Sequence, residues 1–235
     1  MVVIIIIMLI LFLIILKIGL NIKLKDLKRI KEIGYDKNLN NITNKLPKNS
    51  EVCKEILKNI DNSQVIVEEN EDEKSKTSLY LVMQNKIIIA NIDDTFTRIQ
   101  TIAHECIHSL QDKAILKFNF IFSNMNILYF IIICILEILK IISNNTVFIL
   151  TLLGYFLLGI VQFIVRNYLE VDAMTKARYL AKEYINNVNT LSQEEENLII
   201  SKYDEINSVG IKFYSFILVA KMVIKALFFC MIYLV

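Results

Sequence analysis

Apolar positions in this 235-residue chain gather into four long runs, separated by stretches with the patterning of a soluble domain. Residues 2–16 are apolar without a break, and 18–20 continue the run past Lys17. At 1.5 Å of rise per residue, a helix of this length crosses a hydrocarbon core of about 30 Å. The run lacks the basic leader and small-residue cleavage site of a secretory signal, so it reads as an uncleaved anchor. Residues 118–135 form a second span, with Glu137 and Lys140 near its far interface, and residues 146–165 form the cleanest third. The fourth run, 211–235, carries Lys221 and Lys225 one helical turn apart. Charges at mid-bilayer are costly unless they snorkel or face protein, so a helix lying partly along the surface is the alternative there.

The polar stretches between these runs carry their own periodicities. Residues 50–60 predict a short helix, with Ser50 as its cap and Val52, Ile56 and Ile60 on one face. Residues 64–69 predict a strand, 70–77 a solvated charged loop, and the apolar runs flanking Gln84 and Asn85 a hairpin. Helical spacing resumes after Asp94 and predicts a helix over 96–110. Basic residues crowd the C-terminal side of the first span (Lys17, Lys23, Lys25, Lys28, Arg29, Lys31), which places that side in the cytoplasm. The expected organisation is therefore an anchor (1–20), a cytoplasmic α+β segment (21–117), two spans joined by a short outer loop at 143–145 (118–165), a cytoplasmic helical segment (166–210) and a C-terminal hydrophobic helix (211–235). The fold class that follows is an α-helical integral membrane protein with a small cytoplasmic α+β part.

Composition supports this reading and closes others. Hydrophobic residues make up 55% of the chain and charged ones 21%, with one proline and five glycines. That balance excludes disordered, collagen-like and disulfide-rich secreted classes. A net charge of +2 gives no concentrated basic surface for nucleic acid. The four cysteines, at 53, 106, 134 and 230, have neither metal nor redox spacing and read as ordinary thiols.

The chain has two histidines, and both fall in HECIH, residues 104–108. In a helix, positions i and i+4 share a face, so both imidazoles can reach one metal ion. The predicted helix divides into an apolar stripe (Phe96, Ile99, Ala103, Cys106, Leu110) and a polar one (Thr97, Thr101, His104, His108, Gln111). Random placement of two histidines and a glutamate would give this pattern roughly once in 2,000 sequences of this composition, which favours one Zn²⁺ per chain over two surface histidines. A catalytic zinc needs three protein ligands and an open position. With no third histidine the remaining ligand is a carboxylate. Asp112 lies too close on the same helix to close a tetrahedron. Glu170, in a helical stretch past the third span and sharing a face with Ala173 and Ala177, is the stronger candidate; an ion pair with Arg166 is the alternative use of that carboxylate.

At these residues the chain resembles the YugP-like neutral zinc metallopeptidases, membrane proteins of bacteria, and more distantly the membrane-bound prenyl-protein and heat-shock zinc proteases. The likeness rests on IAHECIHSLQ (102–111), against a pattern A-A-H-E-x-G-H-A-x-Q. It rests also on LEVDAMTKA (169–177), against L-E-F-D-A-S-x-x-A, and on a final apolar helix after a polar segment. Ile107 stands where the family has glycine, and Met174 where it has serine. The resemblance implies a zincin-like cytoplasmic part in the cell membrane, metal ligands His104, His108 and Glu170, and Glu105 as catalytic residue. The expected activity is then a zinc metalloendopeptidase acting on peptide or protein substrate, with a zinc-activated water and Glu105 as general base. Asp172 is a candidate for orienting a liganding imidazole, with pairing to Lys176 as the alternative; Gln111 shares the histidine face and is a candidate for a hydrogen bond near the site, with solvation as the alternative. A non-catalytic membrane scaffold is the competing reading. An intramembrane protease is disfavoured, because Thr97, Arg98, Gln100, Gln111, Asp112 and Lys113 make the motif helix too polar to lie in a bilayer.

Overall fold

In the computed structural model the described residues are 1–70, 72, 75, 77–142 and 144–235. Parts of two expected features, the charged loop at 70–77 and the outer loop at 143–145, lie outside them. Helix accounts for 74% of the structure, beside one small sheet, so the fold is helical. The elements run α1 (Val2–Gly19), α2 (Leu24–Gly34), α3 (Lys37–Thr43), α4 (Asn49–Asn59), β1 (Ile66–Glu69), β2 (Leu79–Leu81), β3 (Lys86–Ile89), α5 (Arg98–Leu110), α6 (Lys113–Ile138), α7 (Asn145–Asn187) and α8 (Gln193–Leu234). The chain forms two compact units. One comprises Met1–Ile22, Lys117–Tyr168 and Lys212–Val235; the other comprises Lys23–Leu116 and Leu169–Ile211.

In the second unit, the sheet order is β1-β3-β2. β1 pairs with β3 in parallel, and β2 with β3 antiparallel through a turn in which Asn85 takes a positive φ of 49°. Asparagine is among the few residues that tolerate this conformation, which is how the hairpin turns without glycine. The alternation along β3 buries Ile87 and Ile89 against α4 and α5. Fully buried Val52, Cys53 and Ile56 of α4 and Ile99, Ile102, Ala103 and Cys106 of α5 complete that layer. The α7 segment in this unit enters the core through Ala173, Ala177 and Ala181, a small-residue stripe that lets its backbone come close.

Two local expectations need correction. Ser50 is not a cap: α4 starts one residue earlier, Lys48 is its N-cap, and the Ser50 amide instead donates to Glu69 Oε1 at 2.9 Å. Leu110 is 51% exposed, because the last turn of α5 buries Ser109 in its place, held by Asn62 Nδ2 at 2.8 Å. The segment at 166–210 is helical, formed by the end of α7, a short turn and the start of α8. Two elements lay outside the sequence expectation. They are α2 and α3, the latter started by Asp36, whose Oδ1 accepts from the Asn38 and Leu39 amides at 2.9 and 3.1 Å.

In the first unit, α1, α6 and the apolar portions of α7 and α8 pack together. Four helices of the structure are long and apolar enough to cross a membrane. α1 buries only Val2 and exposes apolar side chains all round, including Ile15 and Ile18. Aqueous exposure of that surface would be strongly unfavourable. α7 meets its neighbours closely at two glycines. A Cβ at Gly159 would collide with Met222 Sδ, and one at Gly154 would come within 2.8 Å of Tyr129 Oη. Small residues of this kind let helices approach where lipid offers no hydrophobic drive for association.

Candidate metal centre

Arg98 fixes the start of α5. Its guanidinium is buried and donates to the Pro47, Thr43 and Leu46 carbonyls and to Asn49 Oδ1, all within 2.7–2.9 Å. These contacts satisfy the chain leaving α3 and tie it to the helix that carries both histidines. Tyr203 adds a second tie, its hydroxyl donating to the Phe96 carbonyl at 2.7 Å over stacked rings. The far end of α5 stops at Gln111, where the chain turns and Asp112 caps α6 through the Ala114 and Ile115 amides. Asp112 is therefore spent as a cap.

With α5 set in this way, His104 and His108 stand one turn apart with Nε2 atoms 3.0 Å from each other. Glu170, from α7, brings Oε2 to 3.4 Å from His104 Nε2 and 3.8 Å from His108 Nε2. These three can offer ligand atoms to one ion. Ligands about 2.0–2.1 Å from a tetrahedral zinc lie roughly 3.3–3.4 Å from one another. The three observed edges, 3.0, 3.4 and 3.8 Å, bracket that value, and the donor set of two imidazoles and a carboxylate suits zinc. The residues present fit the ion.

Gln111 decides how His108 is presented. Its Nε2 donates to the Leu169 carbonyl at 2.7 Å and to Asp172 Oδ2 at 2.9 Å. Both partners only accept, so the amide orientation is fixed and Oε1 is the atom that faces His108 Nδ1 at 2.8 Å. That contact requires the proton on Nδ1, so that in the neutral ring Nε2 is the nitrogen with the lone pair toward His104 and Glu170, and in the protonated ring Nε2 donates toward Glu170. Asp172 thus reaches the imidazole through Gln111 rather than directly. It also takes Lys176 Nζ on Oδ1 at 2.7 Å, the pairing weighed as its alternative, while Gln111 and not Asp172 bonds the imidazole.

The electrostatics follow from burial and these partners. Burial alone would raise Glu170, but hydrogen bonds from both histidines hold its carboxyl well below the usual range. For His108, burial pulls downward and is outweighed by its bonds to Glu170 and Gln111 and by the charge on Glu105, so it is raised. Glu105 is 7% exposed, and burial pushes its pKa up against the pull of the two histidines. The backbone of Tyr80, on the edge strand β2, hydrogen-bonds its carboxyl.

No family profile, characterised protein or solved structure matches this chain. The site is therefore read from its own residues. Two features of it were not visible in the sequence. Behind the motif helix, Cys106 Sγ lies 3.7 Å from Cys53 Sγ, both fully buried, although the two positions are 53 residues apart and show no recognised spacing. The buried anchoring of Arg98 was equally hidden, since nothing in the sequence separates a buried arginine from a surface one. Ile107, at the position where the resembled family has glycine, is buried in the core behind the histidines.

Proposed function

We propose that the protein is a membrane-anchored zinc metallopeptidase of the YugP-like kind, with His104, His108 and Glu170 as ligands and Glu105 as general base. The observation that carries the reading is the convergence of two helices on one small triangle of donor atoms, with a buried carboxyl of raised pKa next in sequence to the first ligand. Zinc, when bound, supplies a Lewis acid that brings the pKa of a water to about 7. Glu105 takes the proton of the attacking water and passes it to the leaving amine of the substrate peptide. A carboxyl lifted toward neutrality by burial suits both transfers. Tyr80 holds that carboxyl through its backbone, and Gln111 holds His108 in the liganding tautomer. β2 lies at the sheet edge, where an extended peptide could add as a further strand.

The four apolar helices support a multi-pass placement in the cell membrane, and the basic residues after α1 support a cytoplasmic site. Full-length protein and its Glu105→Gln variant should bind equal zinc, while cleavage of a peptide mixture falls by about 10²–10⁴-fold in the variant. Equal cleavage by both would refute the role of Glu105. Reporter fusions at residues 75 and 190 should both report the cytoplasm; opposite sides would refute Glu170 as a ligand.

A further inference from the structure

The membrane-type unit contains a cavity of about 410 Å³ between α6, α7 and α8, distinct from the metal centre in residues and chemistry. Three cations stand in its wall, Arg166 from α7 and Lys221 and Lys225 from α8, together with the amides Asn126 and Gln162 and the phenols Tyr155 and Tyr214. Among the described residues no aspartate or glutamate lines it. Among the described residues neither lysine has a carboxylate partner; Lys225 lies over the Phe130 ring at 5.4 Å, and Arg166 Nε donates to the Tyr214 hydroxyl at 3.0 Å. Asn126 is 5% exposed and donates through Nδ2 to Gln162, yet its Oδ1 is buried with no partner.

Position along the helix gives these charges their meaning. Lys221 and Lys225 lie ten and fourteen residues past Ile211, about 15 and 21 Å along α8, within a hydrocarbon core of about 30 Å. Tyr214 and Arg166 line the same cavity nearer the start of the apolar part of α8, while Lys225 stays at its own depth over the Phe130 ring. Basic residues at such depth are retained where an anion or water meets them. The size of the cavity suits a ligand headgroup rather than a single carboxylate side chain, and an unpaired amide oxygen beside the cations calls for a ligand that also donates a hydrogen bond.

We infer that this cavity takes in the phosphate headgroup of an anionic, hydroxyl-bearing phospholipid, drawn from the interface below its ordinary level so that Lys221 and Lys225 meet the phosphate. The inference rests on the bilayer placement proposed above and is independent of the metal chemistry. The test uses full-length protein in neutral detergent, and native mass spectrometry with dioctanoyl phosphatidylglycerol, dioctanoyl phosphatidylcholine and inorganic phosphate as probes. The wild type should retain one phosphatidylglycerol at least tenfold more tightly than phosphatidylcholine, with no comparable retention of free phosphate. The Lys221→Gln/Lys225→Gln variant should lose that preference, Lys221→Arg/Lys225→Arg should keep it, and Lys212→Gln should leave it unchanged. Circular dichroism and zinc content report whether each variant is folded, and carbonate extraction of membranes reports bilayer insertion separately. Equal retention of the two lipids overturns the inference, as does an unchanged preference in the glutamine variant; an acidic transmembrane partner would then be the anion the lysines face. Retention of free phosphate as tight as that of phosphatidylglycerol overturns the lipid assignment.

Discussion

Gln111 makes three hydrogen bonds with one amide group, and Gln111→Leu removes all of them at nearly constant volume. The bond to His108 Nδ1 sets the ring tautomer, so its loss lets the proton move to Nε2 and compete with the metal. Removing such an outer partner typically costs about 10–100-fold in metal affinity, or about 1.4–2.7 kcal/mol. The other two bonds join α5 to the backbone and carboxylate of α7. Their loss should destabilise the metal-free protein by about 2–4 kcal/mol, since one acceptor is charged and all three partners are only partly exposed. Affinity is measured by competing the protein against a zinc chelator, and stability by denaturant unfolding in excess chelator. Asp172→Asn keeps an acceptor oxygen without the charge and should fall between wild type and Gln111→Leu in both. A variant within about twofold of wild-type affinity, when Glu170→Ala has lost binding, would show that His108 is held by packing alone and would refute the relay.

Arg98→Met retains the aliphatic stem but orphans three backbone carbonyls, and should cost about 3–5 kcal/mol in unfolding measurements, with zinc affinity unchanged in the molecules that fold. The metal-free site should show a pH signature of its own. His108 is raised, so its contribution is complete below its ordinary value of 6.5 and fades as pH rises through the folded value. Glu170 is lowered, so its contribution is present above its ordinary value of 4.5 and lost only in stronger acid. Chelator-treated protein should therefore gain most from this pair between pH 4.5 and 6.5, while the stabilisation added by zinc should grow with pH as the imidazoles become neutral. Thermal unfolding across pH with and without chelator tests this; parallel curves would refute it.

Periodicity by itself determined the four apolar helices, the hairpin and the histidine-bearing helix, because burial against lipid or core imposes a spacing that a linear sequence displays. It determined the pairing of His104 with His108 for the same reason: one helical turn is a local relation. The third donor is different. Glu170 stands 62 residues beyond His108, and its carboxylate meets the imidazoles only because the Ala173–Ala177–Ala181 stripe lets α7 enter the core beside α5. Sequence could nominate it by elimination, not place it. The contacts that tune the site were less legible still. Gln111 linking Asp172 to His108, Tyr80 holding Glu105, Cys53 against Cys106 and Arg98 filling the α3–α4 turn all join residues distant along the chain. Local spacing carries no trace of such pairs, because a hydrogen bond between elements depends on where two backbones meet, and that is decided by the packing of the whole core.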